Sequence, residues 1–528
     1  MSRRWRVVAT LVLGLVACDE ARGPTASGAG GLTLQVVAAA AGGPALDSGY
    51  VLLTGPTDTT VKAVRPVPGT QVTIGGLKPG PYTVELEGFA AGGLARYGAV
   101  PGVTTVVAGQ NATATLPSFP LLQLAFKVQP SSVRLGRAIA PGVQVSVVDP
   151  GGNVVTRATD SVTVSIGSNP SGCSLKGART IAAVAGVATF SDLSIGEIGA
   201  GYTLTAGSGA LTGATSTAFD VYTFVAVVNF VDTTIWVMQT SSSINSILAK
   251  IRVPQSPYPV SLAYTPDGSR LYVTSQGSNN VSVVDALTGK LVAQVPLAGT
   301  SQEVAITADG ASAYVTNPFL NELSVISTAT NTVGATIPLQ ASSTSPLGVA
   351  IRPDGQFVYT ADNGSNDVAV INTVNKLQIA NPGSGGTRPQ SVGITPSGAF
   401  AYVTNATSNT VGVVNTATNA PVGTVSVGSG PRGIAVSPDG AFAYVANFGD
   451  STVSVIRTSD NTLLPAPIIV GHAPSFIAFT PCGAFAYVTN TTSNTVSVIA
   501  TATRQVVATI PVGSQPAGIA IPRVPCPC

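Results

Sequence analysis

The stretch Gly433-Ile434-Ala435-Val436-Ser437-Pro438-Asp439-Gly440-Ala441-Phe442-Ala443-Tyr444-Val445-Ala446-Asn447 decides the fold. A short apolar run, a Pro-Asp-Gly turn and a second apolar run read as two strands joined tightly: proline presets the first turn angle, the aspartate bonds nearby backbone, and glycine accepts positive φ. Working outward, the tyrosine of this pattern recurs at 272, 314, 359, 402, 444 and 487, at spacings of 42, 45, 43, 42 and 43 residues. A degenerate seventh copy, Ala226-Val227-Val228-Asn229-Phe230, has Ala226 in place of the tyrosine. Each unit holds four short strands of alternating pattern, in this copy around 434, 443–445, 452–456 and 463–470, and no helix fits within it. Four strands in a period near 42 residues is a propeller blade. The Asp or Ser of the turns at 266–268, 308–310, 353–355, 396–398 and 438–440 is therefore read as a turn former and not as a catalytic carboxylate.

First strands occur at Leu262-Ala263, Val304-Ala305, Val349-Ala350, Val392-Gly393, Ile434-Ala435, Ile477-Ala478 and Ile519-Ala520, while second strands begin one copy earlier. Both sets number seven. The chain of the ring thus starts on a second strand and ends on a first strand, so closure calls for residues 517–521 to pair with the opening strands between 222 and 253. Tyr402-Val403-Thr404-Asn405 and Tyr487-Val488-Thr489-Asn490 resemble the hallmark of the YVTN family of seven-bladed β-propellers, over about residues 222–523. That family includes envelope and surface-layer proteins and is more distantly similar to lactonase propellers. The resemblance implies the fold and leaves the activity open.

The expected fold class is all-β, with two N-terminal β-sandwiches followed by a seven-bladed β-propeller. Residues 31–119 show alternating stretches, and Gly76-Leu77-Lys78-Pro79-Gly80-Pro81-Tyr82-Thr83-Val84 is similar to prealbumin-like, carboxypeptidase-regulatory-like sandwiches. Residues 120–220, with 126–130, 143–149 and 186–190, resemble bacterial immunoglobulin-like surface domains. The propeller occupies 221–523 and a Cys-Pro-Cys tail 524–528. At the other end, Arg3, Arg4 and Arg6 precede an apolar run too short to span a bilayer as a helix, which reads as a signal peptide over 1–17. Its ending, Leu15-Val16-Ala17-Cys18, resembles a bacterial lipobox, which implies lipidation of Cys18, a flexible tether over 18–30 and anchoring to a membrane of the bacterial cell envelope.

Composition narrows the chemistry. Charged residues make up 9% of 528 and the net charge is +2 with no basic cluster, so nucleic acid is excluded as a partner class. The chain has one histidine, His472, read as an exposed imidazole without a partner. No multi-histidine metal site and no Gly-x-Ser-x-Gly elbow can be built, and no cofactor is expected. Of the five cysteines, Cys482 and the tail residues Cys526 and Cys528 fall near one rim of the ring, where a disulfide would reinforce closure. Cys173 reads as an inert loop or core residue. Loops entering the first strands share a face with those joining second to third strands, which places Gln302, Glu303, Arg388, Gln390 and Arg432 around one channel mouth, with Phe230, Phe319 and Phe448 beside them. From this charge-poor, aromatic face the expectation is a lipid-anchored envelope protein that binds a protein or glycan without catalysis, as an adhesin or scaffold. The second reading is a lactonase-like hydrolase with its site in the central channel.

Overall fold

The computed structural model describes residues 122–523 apart from 150, 157, 210, 242–244 and 254–255, and before them only strand backbones between 11 and 116. The chain divides into two compact units, the second formed chiefly by residues 221–528. Among the described residues, every regular element is a strand.

In the first unit, backbone strands Gly30–Val36, Gln71–Leu77 and Asn111–Leu116 form one sheet, and Leu46–Thr54, Thr59–Val64, Gly80–Ala90 and Gly102–Val106 belong to another. Beyond residue 122, Gln123–Val128, Val143–Val148, Ser161–Ile166, Val187–Phe190, Leu204–Ser208 and Leu211–Thr215 are strands of a seven-stranded sheet. Its buried residues include Val143, Val145, Val147, Val162, Val164, Phe190 and Leu204. Successive valines lie two apart, the spacing a pleated strand needs to turn them to one side.

The second unit is a ring of seven sheets. Blade 1 holds Phe219–Asn229, Thr234–Thr240 and Asn245–Arg252 and takes its innermost strand, Pro516–Ala520, from the end of the ring. Val227 pairs with Ile519 and Ala226 with Ala520, so the closure expected from the strand count is present. Blades 2 to 7 begin at Pro259–Tyr264, Val304–Ile306, Pro346–Ile351, Pro389–Ile394, Pro431–Val436 and Pro474–Phe479, and each runs outward antiparallel. Seven apolar clusters fill the seven interfaces between neighbouring blades; Tyr272, Val281 and Val283 of blade 2, for example, meet Val304, Val315 and Ile326 of blade 3. Second and third strands are covered on both faces and read as continuous apolar runs, whereas outer strands such as Gln505–Pro511 alternate toward solvent.

Each letter of the repeat has a physical task. The tyrosine is buried, and its hydroxyl reaches the next blade: Tyr272, Tyr359 and Tyr402 donate to the side-chain oxygens of Asn331, Asn419 and Asn461 at 2.5, 3.1 and 2.7 Å. Those asparagines sit in the left-handed region, at φ of 53° to 56°, where a third strand turns into a fourth. The valine packs in the core. The asparagine closes its own blade, as Asn490 does by donating from Nδ2 to Thr495 and Ser497 at 3.0 and 2.9 Å. Turn aspartates are structural, as read from the sequence: Asp309 accepts from the Thr307 hydroxyl and the Ala311 N–H, which together hold its carboxyl below the usual range.

Candidate functional site

The inner ends of the first strands surround the channel. Register breaks between Pro389 and Val392, Pro431 and Ile434, and Pro474 and Ile477 interrupt the pleat there. Two consecutive residues of one strand can then face the same space, against the rule of alternation. Gln302, Glu303, Leu347, Gln390, Ser391, Arg432, Gly433 and Phe476 line one small cavity that opens to solvent. Three blades supply polar side chains to it, and only Glu303 and Arg432 among these residues are ionisable.

Glu303 lies deep within the ring, and burial pushes its carboxyl up to about 8, opposed by one hydrogen bond from the Val349 N–H to Oε2 at 2.8 Å. Part of its surface faces the cavity, so the side chain is half-buried, with protein on its remaining sides. A Cβ at Gly348 would stand 3.0 Å from Oε2 and 2.6 Å from the Ser391 backbone. Only glycine leaves room there for the carboxyl and for the close approach of two blades. Arg432 is desolvated too, which lowers its pKa, and it remains charged at neutral pH. Its guanidinium lies 5.1 Å from the centroid of the Phe448 ring, whose face holds the cation in place.

Of the residues singled out from the sequence, Gln302, Glu303, Gln390 and Arg432 meet in the cavity, and Phe448 backs Arg432. Arg388 is outside its lining; its N–H is bonded to the Asn366 side chain at 2.8 Å in the loop before the strand. Phe230 stacks against Tyr258 at 5.1 Å, and Phe319 is 83% exposed. His472 does have a partner, since its Nδ1 lies 3.0 Å from the Ser451 hydroxyl. Cys173 is not inert: both Cys173 and Cys482 are disulfide-bonded. Cys526 and Cys528, and Cys18, where lipidation is expected, lie outside the described residues. Sequence reasoning passes over Leu347, Ser391, Gly433 and Phe476. The repeat itself carries their signal, because they occupy the two positions before the recurring apolar pair of each first strand, where Gln302 and Glu303 stand in blade 3. Among the described residues, no three His, Cys, Asp or Glu side chains come together to hold a metal ion.

No curated protein matches the chain. Among solved structures, a functionally unknown protein from Desulfotomaculum acetoxidans is 24% identical with a TM-score of 0.50, covering 57% of this chain and 98% of that one. A putative 6-phosphogluconolactonase from Bacteroides fragilis is 19% identical with a TM-score of 0.49, covering 57% and 98%. Hydrazine synthase of Kuenenia stuttgartiensis is 21% identical with a TM-score of 0.46, covering 53% and 93%. The first of these is a likeness of fold. Residues 301–420, which include Gln302, Glu303, Gln390 and Ser391, match the family described as "Lactonase, 7-bladed beta-propeller". That match overturns the expectation of a non-catalytic adhesin or scaffold and favours the second reading, an enzyme-like propeller with its site in the channel.

Proposed function

We propose that the propeller hydrolyses a lactone or a related cyclic ester in the channel cavity. The observation that carries this reading is a lone carboxyl titrating near neutrality, placed in one cavity with a desolvated guanidinium, within a propeller whose residues 301–420 are similar to lactonases. A general base works best when its pKa lies near the working pH. In its ionised form Glu303 takes a proton from a water molecule as that oxygen attacks the ester carbonyl. The carbonyl oxygen becomes an oxyanion, and Arg432 is the donor available to stabilise it where little water competes. Collapse of the intermediate breaks the ring C–O bond, the leaving oxygen takes the proton back from Glu303, and a hydroxy acid is released. Gln302, Gln390 and Ser391 offer neutral donors and acceptors that orient the ring, and Phe476 and Leu347 supply an apolar wall. The Leu15-Val16-Ala17-Cys18 run supports placing this activity at the cell envelope through a lipid on Cys18.

The test is acid release from a panel of neutral lactones by the purified protein. Turnover is expected to rise with pH along a limb near 8, as Glu303 ionises. Glu303→Gln should lower kcat by about 10²- to 10⁴-fold without loss of fold, and Arg432→Gln by about 10²-fold. Equal turnover in Glu303→Gln and wild type, or no hydrolysis of any lactone, refutes the proposal.

A further inference from the structure

The threonine of the repeat, so far only a mark of the fold, reaches the channel. Thr274, Thr316, Thr404 and Thr489 each accept the N–H of a residue on their own blade's first strand: Ser261, Glu303, Ser391 and Phe476, at 3.2, 3.0, 3.1 and 3.1 Å. Each also donates to a carbonyl on the next blade's first strand: Gln302, Leu347, Arg432 and Ala517, at 2.8, 2.8, 2.7 and 2.7 Å. Blades 1, 4 and 6 have Val228, Ala361 and Ala446 at this position, and these side chains can make neither bond. The consequence is asymmetric. A first strand is held from both sides only where its own blade and the preceding one both keep the threonine. Among the described strands that condition is met once, in blade 3, which carries Glu303.

A second difference sits at the same place. Six first strands open with proline, at 259, 346, 389, 431, 474 and 516, whereas in blade 3 the matching position is Ser301, three residues ahead of the shorter strand Val304–Ile306. Proline has no N–H to give. Ser301 donates its own to the Ser275 carbonyl of blade 2 at 3.3 Å, and Gln302 donates to the Thr316 carbonyl at 3.0 Å. A proline at the position of Ser301 could not make the first of these bonds, so the approach to the cavity's carboxyl carries a tie that its counterparts in the other blades lack.

We propose that Thr274 and Thr316 are positioning residues for Glu303, fixing its backbone so that the carboxyl stays in the wall of the cavity. The inference deepens the hydrolase reading and rests on it for its purpose, while the positioning itself stands on the bonds above. A displacement of about 1 Å at a reacting group costs on the order of 10²-fold in rate, so a strand end free to rock would be a poor carrier for a base. Arg432, which lines the same cavity, is the other ionisable group facing Glu303 there, and of the threonines only Thr404 holds its strand.

The test reads the carboxyl directly in the full-length protein. Glutamate labelled with ¹³C at the side-chain carboxyl is titrated by NMR, with the Glu303 signal assigned by its loss in Glu303→Gln. In wild type it should titrate near 8. Thr316→Val and Thr274→Val keep the branched shape and remove the hydroxyl; each should lower that midpoint by about one unit as water reaches the carboxyl. Thr316→Ser and Thr274→Ser should restore it. Tyr272→Phe, which removes a hydrogen bond between blades 2 and 3 away from the channel, should leave it unmoved. Ala361 and Ala446 show that a blade folds without this threonine, and Thr274→Val, whose hydroxyl bonds only Ser261 and the Gln302 carbonyl, remains informative should Thr316→Val misfold. Midpoints unmoved in both valine variants, or moved equally by Tyr272→Phe, overturn the proposal. The titration needs no substrate. Absence of lactone turnover would sink the hydrolase reading alone, and unmoved midpoints in an active enzyme would sink this one alone.

Discussion

Blades 3 and 4 are neighbours cut from one repeat, and they differ where it matters. Blade 3 reads Tyr314-Val315-Thr316-Asn317 and blade 4 reads Tyr359-Thr360-Ala361-Asp362. In blade 3 the asparagine faces Glu322 across the ladder and donates to it and to Ser324 at 3.1 and 2.8 Å. In blade 4 the corresponding pair is Asp362 opposite Asp367. Asp362 accepts from the Thr360 hydroxyl and the Ala369 N–H, at 2.8 and 2.9 Å, but burial pushes its carboxyl up to about 8, with Asp367 adding to the rise. Second and third strands pair in the same register in the two blades. What differs is whether the buried polar position brings its own donors, and blade 4 must hold a proton to do without them.

The difference can be broken or sharpened by exchange. Asn317→Asp gives blade 3 the acid of blade 4 next to Glu322 and removes both donated bonds. It should destabilise the protein by about 3 kcal/mol at pH 8, read as a lowered urea midpoint, with the deficit shrinking toward pH 5 as the pair takes up a proton.

Asp362→Asn is the reverse exchange and should stabilise, by roughly 1–3 kcal/mol above pH 8. The sign follows from linkage. Asp362 has an ordinary value of 3.8 and a folded value of about 8, so between those limits the unfolded chain releases a proton that the folded chain keeps. Its cost to the folded state is absent below about 4, grows as pH rises through that window, and is full above 8. The gain from asparagine should therefore disappear in melts run near pH 4; a gain independent of pH would show that the carboxyl is not the cause. Ala361→Thr should have the smallest effect, about 0.5–1.5 kcal/mol of added stability, by giving blade 5 a hydroxyl bond to the Gln390 carbonyl. A loss of stability would instead mean that blade 4 has repacked around alanine.

These contrasts also measure how far the residues can be read. The period of the tyrosines, the Pro-Asp-Gly turns and the offset between first and second strands specify seven blades and their closure, because those signals are local and recur. Gln302, Gln390 and Arg432 are legible as a group for the same reason, sharing one position in the repeat, and Glu303 holds the next position. Arg388 lies in the loop just before its strand and falls outside the cavity, and Phe319 faces solvent. The disulfide bonding of Cys173 has no local sign, since pairing depends on what the fold brings near and not on spacing. The expectation of a contact surface without catalysis is overturned by the likeness of residues 301–420 to a lactonase propeller, a signal spread over 120 residues that no single loop or charge count carries.

By itself, then, the sequence determined the number of strands, their turns and the direction in which each blade runs, since all of these follow from side-chain alternation and turn chemistry over a few residues. Tertiary structure alone decided that Glu303 would be nearly neutral, that Arg432 would lie on Phe448, and that blade 3 would be held by threonines 274 and 316 from two different blades. Each of these depends on which groups residues tens of positions apart present to one another after the ring has closed, and burial sets the strength of every charge and hydrogen bond among them.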